Sequence, residues 1–148
     1  MTKEYTYIIL ADDDEDDRLF FTDAFEELKI HTKIHTFKDG EELMTYLNDP
    51  ESMLPEILFL DLNMPKKNGM ECLEEIRSSD RFREMAVAIY STSSSEEHIE
   101  ETFVKGANVY IRKPSDFEDL KKVLSEVVTR SWQYQTSGMN KDNFLLRL

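Results

Sequence analysis

Five side chains that could take part in chemistry stand close behind short apolar runs of this sequence. They are, in chain order, Asp12, Asp13, Asp61, Ser91 and Lys113. Three clustered carboxylates repel one another and raise each other's pKa values, and a hard cation such as Mg²⁺ relieves that repulsion. A lysine offers a positive charge to a phosphate, and a serine hydroxyl can donate a hydrogen bond to a phosphoryl oxygen. The set therefore indicates Mg²⁺-dependent phosphoryl transfer onto a carboxylate, with Asp61 as the nucleophile.

Asp61 taken alone has a simpler interpretation, as an aspartate that ends a strand and caps the next turn. The run Ile57–Leu60 before it is apolar at every position, which is typical of a parallel strand buried on both faces. In doubly wound sheets, ligands bind at the carboxyl rim of such strands. A chemical role for Asp61 therefore depends on whether the other polar residues reach the same rim.

The alternation of strand and helix patterns predicts that the other polar residues reach the same rim as Asp61. Five segments are predicted strands, namely Tyr5–Leu10, Lys33–Phe37, Glu56–Leu62, Met85–Tyr90 and Val109–Arg112. Each is followed by apolar residues at helical spacing or by a helix-like segment, and the last such helix begins near Phe117. This pattern predicts an α/β fold, a doubly wound five-stranded parallel sheet with helices on both faces.

Composition excludes several functional classes. The net charge of −13 argues against nucleic acid as a partner, because phosphate backbones are bound by Lys and Arg. No apolar run approaches the ~20 residues that a membrane span needs, and the first residues do not resemble a secretory signal. Cys72 is the single cysteine, so an internal disulfide is impossible. We expect a cytoplasmic protein with no membrane partner.

Four segments in order resemble the receiver domain of two-component response regulators, the CheY-like family. They are IILADD, LFLDLNMPKKNG, YSTSS and YIRKP, and the resemblance covers residues Tyr5 to Arg130. It implies the flavodoxin-like strand order 2-1-3-4-5. We expect residues 1–130 to form the receiver domain and residues 131–148 to form a C-terminal tail, with no output domain.

The resemblance also implies a role for each residue of the site. Asp61 would be the phosphoacceptor, Ser91 the switch hydroxyl and Lys113 the phosphate contact. Asp13, Asp61 and the backbone carbonyl of Asn63 would bind Mg²⁺ directly, while Asp12 would hold waters of the ion.

Two further residues take their roles from the family. Tyr110 would be the aromatic switch that moves with Ser91. Pro114 would follow a peptide bond that is often cis in the family, in keeping with the tolerance for cis bonds before proline.

Three local assignments have alternatives. Asp14 could replace Asp13 in the acid pair or could instead cap the helix that follows. Thr92 is adjacent to Ser91, although the spacing from Asp61 favours Ser91. The run from Ser93 to Glu97 could be a phosphorylation site, but Ser93 and Glu96 have the spacing of a helix capping box, which favours a helix cap.

The resulting hypothesis is a single-domain response regulator of bacterial two-component signalling. A sensor histidine kinase or a histidine phosphotransfer protein would phosphorylate Asp61. The output would be a shift of the face formed by the fourth helix, the fifth strand and the last helix, read by a downstream protein or by a homodimer. The only chemistry expected of the chain is its own phosphorylation and dephosphorylation, so we do not expect a conventional enzyme.

Two alternatives come from other functional classes. A phosphorylation-independent adaptor could use the same fold. A Mg²⁺-dependent phosphatase with an aspartyl nucleophile, similar to the haloacid-dehalogenase-like enzymes, would carry a general acid two residues after the nucleophile. Asn63 occupies that position, which argues against the phosphatase.

Overall fold

The computed structural model describes residues 5–130 and the backbone of residues 145–146. The strands are β1 Thr6–Ala11, β2 Thr32–Phe37, β3 Ile57–Leu60, β4 Ala86–Ser91, β5 Val109–Arg112 and β6 Leu145–Leu146. The helices are α1 Glu15–Leu28, α2 Gly40–Asn48, α3 Gly69–Arg77, α4 Glu96–Val104 and α5 Phe117–Thr129, with a short 3-10 turn at Asp80–Phe82. None of the helices in this part of the chain is long and apolar enough to cross a membrane.

The sheet confirms the predicted α/β architecture and strand order. Its strands are parallel neighbours in the order β2-β1-β3-β4-β5, and β6 adds a two-residue parallel strand beside β5. Ala11 of β1 stands beside Leu60 of β3, and Ser91 of β4 stands beside Arg112 of β5. The residues that follow these strands therefore leave the sheet at one rim.

The core has two layers, one on each face of the sheet. Helices α2, α3 and α4 pack on one face, and α1 and α5 pack on the other. Strand β3 contributes alternate residues to the two layers, since Leu58 and Leu60 belong to the first and Ile57 and Phe59 to the second. All four are buried, as the apolar run predicted.

The N-terminal ends of α1 and α4 decide the roles of Asp14 and Ser93, which the sequence left open. Asp14 caps α1, because its side chain accepts hydrogen bonds from the backbone N–H groups of Asp16 and Asp17, at 2.8 and 3.2 Å. The capping box at Ser93 is a wrong prediction, since Ser95 is the residue that caps α4. The Ser93 hydroxyl instead accepts from the Ser95 N–H at 3.2 Å, which forms a turn one step before the helix.

Candidate functional site

Three carboxylates converge at the carboxyl rim of the sheet. Asp12 follows β1 and Asp61 follows β3, and the Asp61 N–H donates to the carbonyl of Ala11 at 3.0 Å, which fixes the two strand ends side by side. Single oxygen atoms of Asp12, Asp13 and Asp61 all lie within 4.8 Å of one another. Asp12 and Asp61 are buried and Asp13 is exposed, so the cluster opens to solvent on the Asp13 side.

This cluster fits a divalent cation. Its donors are carboxylate oxygens, which hard cations prefer. Oδ2 of Asp12 is buried and has no well-formed hydrogen bond within the described residues. Burial raises the pKa of Asp12 to about 6, and the nearby ammonium of Lys113 opposes that rise. A divalent cation bound between these oxygens would give Oδ2 a metal contact in addition to its ion pair with Lys113, whose Nζ lies 2.8 Å away.

Asn63 lies beside Asp61. Its backbone N–H donates to Oδ1 of Asp61 at 3.2 Å. The contact brings the loop backbone around residue 63 next to the Asp61 carboxylate, where the resemblance predicts a carbonyl ligand. That metal contact remains a prediction.

Lys113 is the positive centre of the site. Its Nζ lies 2.8 Å from Oδ2 of Asp12, 2.9 Å from Oδ2 of Asp17 and 3.2 Å from Oδ2 of Asp61. The side chain is only 9% exposed, and the ammonium also lies 5.3 Å from the centre of the Tyr90 ring. Burial alone would lower the pKa of Lys113, but the three carboxylates outweigh it and hold that pKa above its ordinary value.

Asp17 is the site residue that the sequence analysis missed. No role was assigned to it from the sequence, yet its carboxylate contacts Lys113, which is 96 positions away in the chain. A usable signal was present. Asp17 lies in the first turn of α1, which begins directly after the acid pair, so its side chain stays near the same rim of the sheet.

Ser91 and Tyr110 are linked through one short segment. Ser91 is the last residue of β4 and is fully buried, and its Oγ accepts a hydrogen bond from the Ser93 N–H at 3.1 Å. Tyr110, also fully buried, donates from its hydroxyl to the Ser93 carbonyl at 2.9 Å. The adjacent Thr92 is exposed. The backbone of Ser93 therefore connects the predicted switch hydroxyl with the predicted aromatic switch.

The Lys113–Pro114 peptide differs from the form that the resemblance suggested. No cis peptide bond occurs in the described part of the chain, so this bond is trans. The trans form is favoured even before proline, by about 0.5–1 kcal/mol, and a local sequence cannot reveal a context that would reverse that preference.

Gly69 keeps the loop that follows Asp61 close to α3. Its N–H donates to the carbonyl of Leu62 at 3.0 Å, and a Cβ at this position would collide with the carbonyl oxygen of Asp61. Asn68 caps the helix in a reciprocal box with Glu71. The loop between Asp61 and α3 is therefore held at both of its ends.

Comparison with known sequences identifies the family. A family model of the response regulator receiver domain matches residues 8–125. The probable methanogenesis regulatory protein FilR2 of Methanothrix harundinacea is 33% identical over 81% of this chain and 79% of its own length. Response regulator Rcp1 of Synechocystis is 27% identical over 81% of this chain and 84% of its own length.

Solved structures agree with the sequence matches. The phosphorylated cyanobacterial phytochrome response regulator RcpA superposes with a TM-score of 0.80 at 28% identity, over 89% of this chain and 97% of that one. The Mn²⁺-bound form of Rcp1 gives a TM-score of 0.76 at 25% identity, over 91% and 99%. The fold, the rim of carboxylates and these matches together show that this chain belongs to the response regulator receiver-domain family of two-component signalling systems.

Proposed function

We propose that this chain is a single-domain response regulator that accepts a phosphoryl group on Asp61 in a Mg²⁺-dependent reaction. Receiver domains generally take phosphoryl groups from histidine kinases and signal to downstream targets. The observation that carries the proposal is the position of Lys113, whose Nζ contacts Asp12 and Asp61 beside the cluster of three carboxylates.

The transfer needs little covalent chemistry from the protein. An oxygen of Asp61 forms a bond to the phosphorus of the donor while the bond between that phosphorus and the donor's imidazole nitrogen breaks. The electron pair stays on that nitrogen, which takes a proton from water. Lys113 is placed to contact the transferred oxygens, and Mg²⁺, held by Asp13, Asp61 and the Asn63 carbonyl with Asp12 on its waters, would neutralise their charge.

The output begins at Ser91. A phosphoryl oxygen on Asp61 offers the Ser91 hydroxyl a charged acceptor, and a move of Ser91 would disturb the hydrogen bond that its Oγ accepts from Ser93. The Ser93 carbonyl would then shift the hydroxyl of Tyr110, on the face formed by α4, β5 and α5. We infer a population shift of this face, read in the cytoplasm by a downstream protein or by a second copy of the chain.

Intact-mass measurement after incubation with acetyl phosphate tests the proposal. The wild type should gain one phosphoryl group only with Mg²⁺ present, and Asp61→Asn should gain none. Asp80→Asn is the matched control, since Asp80 is exposed and lies just before β4, at the opposite end of the sheet. Labelling of Asp61→Asn at the wild-type level would contradict the assignment of the acceptor.

The same experiment separates the alternatives. A wild type that neither labels nor binds Mn²⁺ in calorimetry would contradict the proposal and favour the phosphorylation-independent adaptor. Sustained hydrolysis of a small phosphate ester that depends on Asp61 would favour the phosphatase, although Asn63 stands where that class needs an acid.

A further inference from the structure

Asp17 holds the lysine of the site more closely than the acceptor does. Its Oδ2 lies 2.9 Å from Nζ of Lys113, against 3.2 Å for Oδ2 of Asp61. Asp17 belongs to the first turn of α1, outside the acid pair that follows β1. Its side chain is 35% exposed, so its carboxylate keeps contact with water while it binds the ammonium.

Three carboxylates surround the ammonium of Lys113. It donates hydrogen bonds to Asp17 and Asp61, and its Nζ lies 2.8 Å from Oδ2 of Asp12. A phosphoryl group on Asp61 would bring further oxygens that require the same donors. Asp17 would then be a rival acceptor, and its negative charge would stand about 6 Å or less from the acceptor carboxylate, because both contact Nζ.

We propose that Asp17 is a positioning residue that competes with the phosphoryl group on Asp61 for the ammonium of Lys113, and that it thereby weakens the phosphorylated state. The proposal rests on the proposed function of Asp61. Removal of the Asp17 carboxylate frees one donor of Lys113 for the phosphoryl oxygens and removes a like charge from beside them.

Binding of beryllofluoride tests the competition without any turnover. In the presence of Mg²⁺ this anion mimics a phosphoryl group on a carboxylate, and bound fluoride is measured by ¹⁹F NMR. Asp17→Asn should bind it about three- to tenfold more tightly than the wild type, as expected for removal of one nearby partly exposed charge. Labelling by acetyl phosphate should become faster in the same variant.

Two variants separate competition for Lys113 from a general charge effect. Asp16→Asn removes the same charge one position earlier on α1, from an exposed side chain, and should change the affinity by less than about twofold. Asp17→Glu keeps a carboxylate and should return the affinity towards that of the wild type. The ratio of the beryllofluoride affinities of Asp17→Asn and Asp16→Asn should fall to about one when each substitution is combined with Lys113→Met.

The possible results separate the competition proposed for Asp17 from the function proposed for Asp61. Equal effects of Asp17→Asn and Asp16→Asn, or weaker binding in Asp17→Asn, would overturn the competition while leaving the role of Asp61 intact. A wild type that binds no beryllofluoride and shows no label would overturn the proposed function, and the role of Asp17 with it.

Discussion

At the scale of single residues, Cys72 provides a test of how tightly the core layer between the sheet and helices α2, α3 and α4 is packed. Burial raises the pKa of its thiol to about 12 from an ordinary 9.0, and the charge of Lys67 opposes that rise only in part. Since the thiolate is the reactive form, we expect iodoacetamide at pH 8 to label the folded protein at least about 10³-fold more slowly than the unfolded protein. Intact mass against time measures both rates.

The raised pKa of Cys72 determines how both the stability of the fold and the labelling rate change with pH. A raised pKa means that the folded state holds the thiol proton more tightly, so the thiol favours folding below about pH 9 and ceases to do so as the pH rises towards 12. Labelling of the folded protein should accordingly accelerate up to about pH 12. Rapid labelling of the native protein at pH 8 would contradict the burial of Cys72.

The residues of the site show what a sequence can and cannot predict at this scale. Asp12, Asp13 and Asp61 were predicted to meet because each follows a strand, and register then brings strand ends together. The contact of Asp17 with Lys113 was not predicted, since it depends on which way two side chains turn across the rim. The trans peptide before Pro114 was missed for a related reason, because isomer choice depends on tertiary context.

At the scale of elements, Arg77 joins the end of α3 to the segments on either side of β4. Its guanidinium donates to the carbonyls of Gly106, Phe82 and Met85, at 2.8, 3.1 and 2.9 Å, and to Oδ1 of Asn108 at 2.8 Å. Burial lowers the pKa of this guanidinium, and the four oxygens compensate its charge.

We expect Arg77→Ala to lower the free energy of unfolding by about 2–4 kcal/mol, because partly buried carbonyls lose a charged donor. Arg77→Lys should recover less than half of this loss, since an ammonium lacks the planar fork that reaches several acceptors. Urea unfolding measures both values. The control is Arg83→Ala, at an exposed position, which should stay within about 0.5 kcal/mol of the wild type. A loss in Arg77→Ala no larger than that of the control would contradict the role of Arg77.

The presence of strands and helices was predicted better than the residues that cap or end them. All five main strands were found because buried parallel strands read as continuous apolar runs, and Val109–Arg112 matches at both bounds. The N-cap of α4 was assigned to the wrong serine, because Ser93 and Ser95 both lie shortly before the acidic residues that begin the helix and only backbone geometry separates them. No strand was assigned in the tail, since a two-residue strand such as β6 has no periodicity to detect.

At the scale of the whole molecule, charge is the dominant feature. The chain carries a net charge of −13, and three of its carboxylates are held together at one rim. Net charge of this size destabilises a compact state through self-repulsion, and clustered like charges do so most strongly. Lys113 offsets part of this repulsion, and a bound divalent cation would offset more of it. Thermal stability should therefore report whether a cation occupies the site.

We expect Mg²⁺ at ten times its dissociation constant to stabilise the fold by about 1.4 kcal/mol, which raises the melting temperature by about 3–6 °C. NaCl at matched ionic strength should raise the melting temperature by less, because screening acts on exposed charges and reaches the buried Asp12 and Asp61 weakly.

Asp13→Asn removes one charge of the cluster, so this variant should melt higher than the wild type without Mg²⁺ and respond less to the ion. Differential scanning calorimetry of both proteins measures these shifts. Equal responses of wild type and Asp13→Asn to Mg²⁺, or equal effects of Mg²⁺ and NaCl, would show that the carboxylate cluster binds no specific cation.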